Sequence, residues 1–151
     1  MDSVIVSKGR MFIGPEYYYY RSMFRQFAAN HGRFRSTWNW CAFFFGPVWF
    51  LYRKMYVWAM VSLAAGVIPY LAIPLMIGCG LAGNYLYYRD FLEKSEKVED
   101  SYSPDIQDKM LALAGGVHPW AKLAGIVPVA LFYSLLFLSV VVPMCLPLLR
   151  N

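Results

Sequence analysis

The sequence predicts an all-α fold: an integral membrane bundle of three transmembrane helices with amphipathic helices at the membrane interface. Two features of composition predict it. Hydrophobic residues make up 59% of the 151 residues and charged residues only 15%, against usual shares of roughly 45–50% and about 25%. Aromatic residues reach 19%, which is typical of interfacial belts. A soluble domain could not bury that much apolar surface, and a disordered chain would not carry it.

Positive charge is concentrated in the amino-terminal third of the chain. The net charge is +5; residues 1–54 hold eight basic and two acidic residues, and residues 89–110 hold four basic and seven acidic ones. A basic region that faces anionic lipid is the simplest interpretation. Nucleic acid is a poor alternative partner, because the basic residues are interleaved with bulky aromatics beside apolar runs.

The first amphipathic helix is predicted at about 15–30. Gly14-Pro15-Glu16 is typical of a helix start, and Gly32 of a helix end. Apolar residues recur between them at helical spacing: Tyr17, Tyr20, Phe24, Phe27 and Ala28. A basic helix with an aromatic face is what a membrane-surface helix needs. Residues 1–13 receive no firm assignment.

A second short helix is predicted at about 37–45, capped by Ser36-Thr37 and ended by Gly46-Pro47. Eight or nine residues rise only about 12 Å, far less than the ~30 Å hydrocarbon core. This helix therefore lies at the interface, re-enters the membrane, or packs against other helices.

A transmembrane hairpin is predicted at 47–93. The uncharged stretch 55–88 would be about 51 Å long as one helix, which is too long for one crossing. Pro69 and Pro74 divide it, so helix one is predicted from Pro47 to Ile68, a turn from Pro69 to Pro74, and helix two from Leu75 to Glu93. Arg53 and Lys54 in helix one would extend their side chains to the lipid headgroups.

The whole chain, 1–151, is predicted to form a single membrane domain. It begins with the basic aromatic region 1–46 and the hairpin, and two further parts follow. Residues 94–119 form a polar cytoplasmic interlude, with a short helix between Ser103-Pro104 and Gly115-Gly116. Residues 120–151 hold a third span at about 121–142. The positive-inside rule places the amino terminus in the cytoplasm, so three spans leave the carboxyl terminus periplasmic. Whether the tail after Pro143 re-enters the membrane stays open.

No catalytic, metal-binding or cofactor-binding constellation is recognised in the sequence. Cys41, Cys79 and Cys145 form no CxxC pair, and they fit the role of small packed hydrophobes. His31 and His118 lack companions at metal-ligand spacing, and both are interpreted as loop or interfacial histidines. We therefore expect no cofactor and no enzymatic activity.

Gly78, Gly80 and Gly83 match the pattern G-x-G-x-x-G. A dinucleotide site would need a preceding strand and a helix start, whereas this motif lies within a predicted span. The glycines are instead predicted to let another helix approach closely. The partner would be helix one, around residues 59–66, or another chain. Asn84, the strongly polar side chain well inside helix two, is predicted to hydrogen-bond between helices.

A set of basic and aromatic residues before and at the start of the hairpin is predicted to contact lipid headgroups, anionic ones in particular. Its members are Arg21, Arg25, Arg33, Arg35, Trp38, Trp40, Trp49, Tyr52, Arg53 and Lys54.

Residues 36–56, STWNWCAFFFGPVWFLYRKMY, resemble the hallmark of a family of small bacterial inner-membrane proteins, domain of unknown function DUF2628. Thr37 is an extra residue relative to that hallmark. Supporting similarities are residues 12–14, 84–89 and 115–116, so that the resemblance covers most of residues 12–116. It implies a bacterial inner membrane and a helical bundle, and it implies no activity.

The preferred functional hypothesis is a non-enzymatic accessory or interaction subunit of a membrane complex. A small transporter or channel component and an anionic-lipid-binding membrane sensor are the alternatives. The expected partners are membrane lipids and either a protein partner or further copies of the chain within the membrane, and no nucleic acid.

Overall fold

The computed structural model describes residues 2–66, 68–121 and 127, and α-helices dominate them. A 3-10 turn over Gly14–Glu16 joins the first two helices. In chain order the helices are α1 Asp2–Ile13, α2 Tyr17–Ala29, α3 Trp40–Tyr52, α4 Tyr56–Gly66, α5 Pro69–Ser101 and α6 Pro104–Ala114. The described residues contain no strand, so the predicted all-α class is confirmed.

Within the described ranges, no helix combines the length and the apolar character that a membrane crossing requires. The third span predicted at about 121–142 lies outside the described residues except at Ala121 and Val127. The tail after Pro143 also lies outside them.

The predicted helix at 15–30 is confirmed as α2, which begins at Tyr17 after the turn that contains Pro15. The chain turns away after α2 with His31 and Gly32 at positive φ, 53° and 72°, a geometry that glycine adopts without strain. The aromatic stripe of α2 is buried inside the bundle, whereas the sequence predicts that it faces lipid. Core packing and lipid contact require the same spacing of apolar residues, so the pattern could not distinguish them.

The predicted interruption at Gly46-Pro47 is confirmed. α3, Trp40–Tyr52, consists of two helical segments that meet at a kink, where Phe45 has the non-helical φ of −121° and ψ of 19°. Proline removes one hydrogen bond and crowds the preceding turn, so that a helix kinks or breaks at this point. The segment after the kink is packed against the bundle, because Gly46, Trp49 and Phe50 are all buried.

The predicted hairpin boundaries are shifted. Helix one does not run from Pro47 to Ile68, because the chain breaks at Arg53, Lys54 and Met55, where Lys54 adopts a φ of 58°. The predicted turn at 69–74 belongs to α5, which begins with Pro69 and contains Pro74. Proline at the first helical position is favoured because the missing N–H would have no helical partner. The hairpin is therefore formed by α4 and the first part of α5.

α5 is the central helix of the bundle: its 33 residues give a length of about 50 Å. It extends past the predicted end at Glu93 to Ser101, so residues 94–101 of the polar interlude belong to this helix. α6 confirms the short helix predicted between Ser103-Pro104 and Gly115-Gly116.

The core joins α1 and α2 to the middle of α5 through aromatic rings. The ring of Phe24 lies 5.3–5.6 Å, centroid to centroid, from the rings of Tyr87, Tyr88 and Phe91. Phe12 of α1 contacts Tyr87 and Phe91 from the other side at 5.8 and 5.3 Å. Tilted and edge-to-face ring pairs of this kind add about 0.5–1.5 kcal/mol each beyond their buried area.

Candidate functional site

An amide cluster, formed by Asn39 and Asn84 with Thr37, holds α3 against α5. Both asparagine side chains are buried, with 2% and 0% exposure. Asn39 Nδ2 donates to Asn84 Oδ1 over 2.8 Å, and Asn84 Nδ2 donates to Thr37 Oγ1 over 3.1 Å. Buried amides are tolerated when their hydrogen bonds are made, and those of Asn84 are satisfied by the segment that leads into α3.

Asn39 also begins α3. Its Oδ1 accepts a hydrogen bond from the backbone N–H of Ala42 over 3.0 Å, as an N-cap residue does. Its own backbone N–H donates to the carbonyl of Gly80 over 2.8 Å. The start of α3 is therefore fixed to α5 through one residue, Asn39, which the sequence analysis missed as a site residue. The signal that could have found it is its cap position, three residues before Ala42.

Two of the three glycines predicted for helix packing lie against α3. A Cβ atom at Gly83 would stand 2.8 Å from the Cβ of Ala42, and one at Gly80 would stand 3.1 Å from the Cβ of Phe43. A Cβ atom at Gly78 would meet no atom within 4 Å. The partner helix is thus α3 and not residues 59–66, and Gly78 takes no part in the contact.

An arginine cluster lies where α3 ends. Arg53 is only 1% exposed, forms an ion pair with Glu16 and hydrogen-bonds weakly to the Tyr87 hydroxyl over 3.5 Å. Its guanidinium carbon lies 4.6 Å from the ring centroid of Tyr20 and 4.9 Å from that of Tyr87. Two aromatic faces and one carboxylate together replace the water that a buried cation loses.

Electrostatics in the arginine cluster favour the charged guanidinium. Burial lowers the pKa of Arg53, but Tyr87, Tyr20 and Glu16 outweigh burial, and the pKa lies above its ordinary value. Burial raises the pKa of the Tyr20 hydroxyl, and the charge of Arg53 opposes that rise. The Tyr20 phenol is therefore neutral beside the permanent cation of Arg53. This arrangement holds the Arg53 side chain in place, and the phenol is no titrating base at neutral pH.

Lys54 ties the hairpin to the polar helices. Its Nζ donates to the carbonyl of Leu113 in α6 over 2.8 Å, and Lys94 Nζ donates to the carbonyl of Lys54 over 3.1 Å. Lys94 also pairs with Asp90 at 2.8 Å. Partial burial and then the charge of Lys94 lower the pKa of Lys54.

His118 lies at the base of α4, as part of the loop that follows α6. Its Nε2 is 2.5 Å from the hydroxyl of Tyr56, and its backbone N–H donates to the carbonyl of Tyr52 over 2.9 Å. The chain therefore leaves the described region next to the first turn of α4.

The predicted headgroup residues do not share one environment. Arg25, Arg33, Arg35 and Trp40 are exposed, whereas Arg21, Trp38, Tyr52 and Lys54 are half-buried. Trp49 and Arg53 are buried. For these last two the prediction of headgroup contact is wrong: Trp49 packs on Phe50 and Tyr87, and Arg53 is enclosed by its cluster. The contacts of Arg53 are with an acid at Glu16 and with tyrosines 33 and 34 residues away, and sequence spacing alone does not reveal such contacts.

Few side chains in the part of the chain that the structure describes are candidates for metal binding or for thiol chemistry. No group of three or more histidine, cysteine, aspartate or glutamate residues there could hold a metal ion. Cys41 is exposed and Cys79 buried, and both are free thiols.

Large hydrophobic side chains are exposed on both helices of the hairpin. We call this set the hairpin surface; its members are between 44% and 91% exposed: Tyr56, Val57, Met60, Val61, Leu63, Ile68, Tyr70, Leu71 and Ile73. Exposed apolar side chains that are grouped on one part of a protein are typical of a surface that contacts lipid or another protein. The hairpin surface therefore needs a covering environment.

Comparison with known proteins gives one family match. Residues 20–82 match the model of a family described as Protein of unknown function (DUF2628). No curated protein and no solved structure matches the chain. The match includes the whole of residues 36–56, whereas the similarities at 12–14, 84–89 and 115–116 lie outside it. The matched residues, 20–82, carry most of α2, all of α3 and α4 and the start of α5.

Proposed function

We propose that this chain is a small protein of the bacterial inner membrane that inserts the hairpin of α4 and the first part of α5 into the bilayer. The observation that supports this proposal is the hairpin surface, where apolar side chains are exposed on both helices. No charged residue lies between Met55 and Tyr88. Lipid is the solvent in which such a surface costs no free energy, since each Å² of apolar area left in water costs about 25 cal/mol.

The length of α4 sets how far the hairpin enters. Its 11 residues rise about 16 Å, close to half of the ~30 Å hydrocarbon core. We infer a hairpin that enters and returns on one side, with the polar end of α5 and α6 on that same side. The basic amino-terminal region favours the cytoplasmic side. In this proposal the only full crossing is the span predicted at about 121–142.

The role we propose is that of a non-enzymatic accessory or interaction subunit, which contacts another membrane protein or a second copy of itself. The buried polar groups support it: the amide cluster and the arginine cluster each have their hydrogen bonds or ring contacts directed at neighbouring helices. Groups engaged in this way hold a scaffold in shape.

Leu63→Lys tests the membrane proposal. Leu63 lies on the hairpin surface and is 56% exposed, so lysine there meets no packed neighbour in the described bundle. In a bilayer the charge costs about 2.5–3.5 kcal/mol, and the fraction of full-length chain that resists carbonate extraction should fall. Tyr102→Lys is the matched control, since Tyr102 is 42% exposed beyond the end of α5. Equal extraction of both variants and the parent would contradict the proposal.

Anionic-lipid binding is a second candidate function, favoured by a group of exposed cations next to an exposed ring. Arg25, Arg33 and Arg35 are exposed, and Phe34 between the last two is 53% exposed. Each surface cation near anionic lipid contributes about 1 kcal/mol. Replacing the three arginines with glutamine should weaken binding to vesicles containing phosphatidylglycerol and leave binding to phosphatidylcholine vesicles unchanged. Replacing Arg33 and Arg35 alone is compared with Lys97→Gln with Lys109→Gln, which also removes two positive charges, and equal loss in the two variants would reject this function.

A further inference from the structure

A groove between α4 and α5 runs from an apolar end to a charged end. Its larger part is a cavity of about 320 Å³, within the size range of small-molecule sites. Trp58, Val61 and Ser62 line it from α4, and α5 lines it from Pro74 to Leu86. Apart from the Ser62 hydroxyl, which already donates to the carbonyl of Trp58 over 2.7 Å, these side chains are apolar or thiol.

The smaller part of the groove is a cavity of about 220 Å³. It shares Trp58 and Leu86 with the larger one, so the two cavities adjoin at these side chains. Its other lining residues include Arg89, Asp90 and Glu93. The apolar cavity therefore lies next to one guanidinium and two carboxylates.

We propose that this groove binds one phospholipid, with an acyl chain in the apolar cavity and a zwitterionic headgroup at the charged end. The inference rests on the proposed membrane location of the hairpin. From Leu86 to Pro74 the groove rises about 18 Å, close to the roughly 15 Å thickness of one leaflet's hydrocarbon. The charged end lies where α5 leaves its uncharged stretch, the level at which headgroups begin.

The charges select the headgroup. Arg89 is exposed, and its guanidinium, which hydrogen-bonds to the Tyr85 side chain, has a geometry that suits a phosphate. Asp90 is already paired with Lys94 at 2.8 Å, whereas Glu93 interacts with Arg89 through its charge, so Glu93 is the carboxylate that we assign to a ligand ammonium. A headgroup with one phosphate and one primary ammonium meets both charges. A purely anionic headgroup would satisfy Arg89 but be repelled by Glu93.

Native mass spectrometry of the full chain in mild detergent tests the inference. The probes are a phosphatidylethanolamine and a phosphatidylglycerol with identical acyl chains. We expect one retained phosphatidylethanolamine per chain and about tenfold weaker retention of phosphatidylglycerol, the ratio expected for one charged hydrogen bond. A chain that retains no lipid, because its own carboxyl-terminal segment or a second copy fills the groove, would overturn the inference.

Two pairs of variants locate the site. Gly78→Phe projects a ring into the cavity without a backbone clash, since nothing lies within 4 Å of a Cβ there. This variant should retain the lipid about tenfold more weakly than the parent chain. Ile77→Phe is the control, because Ile77 is 42% exposed and does not line the groove. Arg89→Gln should weaken retention similarly, whereas Lys97→Gln on the same helix should not. Equal behaviour within either pair would overturn the inference.

The membrane proposal and the lipid-binding proposal are rejected by different experimental results. Carbonate extraction of the same variants reports insertion alone. If Gly78→Phe and Arg89→Gln remain in the membrane fraction and retain lipid as the parent does, the groove is rejected and the membrane proposal stands. If the parent chain itself is extracted by carbonate, the membrane proposal fails first.

Discussion

Arg53 carries the most demanding environment of any single residue in the described bundle. A cation that is 1% exposed must recover its lost hydration from Glu16 and the rings of Tyr20 and Tyr87. The planar guanidinium can stack on two rings while it pairs with a carboxylate, whereas a lysine ammonium cannot. The residue therefore joins the turn before α2 to the end of α3 and to α5.

Replacing Arg53 should be costly even when the charge is kept. We expect Arg53→Lys to lower the free energy of unfolding by about 2 kcal/mol, and the midpoint of thermal unfolding in mild detergent by about 4–8 °C. Glu16→Gln should cost less than about 1 kcal/mol, because the Glu16 side chain is 45% exposed and water screens the pair. A loss from Glu16→Gln as large as that from Arg53→Lys would contradict this ranking.

Asn84 was predictable as an interhelical hydrogen-bonding residue, and its partner was not. Asn84→Leu should leave Asn39 Nδ2 buried without an acceptor, at a cost of about 1–3 kcal/mol. In a double-mutant cycle with Asn39→Ala the two losses should add to more than the double variant shows, because they share one bond of 2.8 Å. Asn30→Ala, at an exposed position after α2, is the control and should change stability little. Strictly additive losses would show that the amide bond contributes nothing.

Gly83 lets α3 approach one face of α5 closely, and Gly78 of the same glycine motif provides the control. Gly83→Ala places a methyl group 2.8 Å from Ala42 Cβ, which is fixed to the backbone of α3 and cannot rotate away. We expect a loss of about 1–3 kcal/mol from overpacking. Gly78→Ala enters open space and should be neutral or slightly stabilising, since alanine favours helix by up to about 1 kcal/mol. Thermal unfolding in detergent distinguishes the two, and equal midpoints would refute the packing role of Gly83.

The sequence predicts which helices exist better than it predicts where each helix begins and ends. The stripe from Tyr17 to Phe27 predicted α2, and Ser103-Pro104 predicted α6, because local periodicity and capping determine both. Pro47 follows the kink that the sequence predicts in α3, whereas Pro74 misled the assignment of α5, because it lies inside that helix. The break at Arg53–Lys54–Met55, where Lys54 adopts a φ of 58°, contains no proline or glycine, and Arg53 beside it is held by a tertiary contact with Glu16 that no local pattern records.

A second glycine contact links parts of the chain that are distant in sequence. A Cβ at Gly115 would lie 2.3 Å from the carbonyl oxygen of Phe12, and the N–H of Gly116 donates to that same oxygen over 2.6 Å. The similarities at residues 12–14 and 115–116 therefore form one contact between α1 and the end of α6. This contact closes the bundle around α5 and places the following residues beside α4, where His118 binds Tyr56.

At the scale of the whole described bundle, the charged side chains lie outside the hairpin of α4 and the first part of α5, and this separation predicts a topology. If α4 reaches only about half of the ~30 Å core, its tip is enclosed by lipid. In a chain with Cys41, Cys79 and Cys145 replaced, Tyr70→Cys, 91% exposed in the bundle, should resist a membrane-impermeant maleimide from both sides and react only in detergent. Tyr102→Cys should react from the cytoplasmic side and Asn151→Cys from the periplasmic side, which preserves the orientation predicted from charge. Labelling of Tyr70→Cys from the periplasm in intact cells would instead show that the hairpin crosses the bilayer. Labelling of Asn151→Cys from the cytoplasm would remove the span predicted at about 121–142.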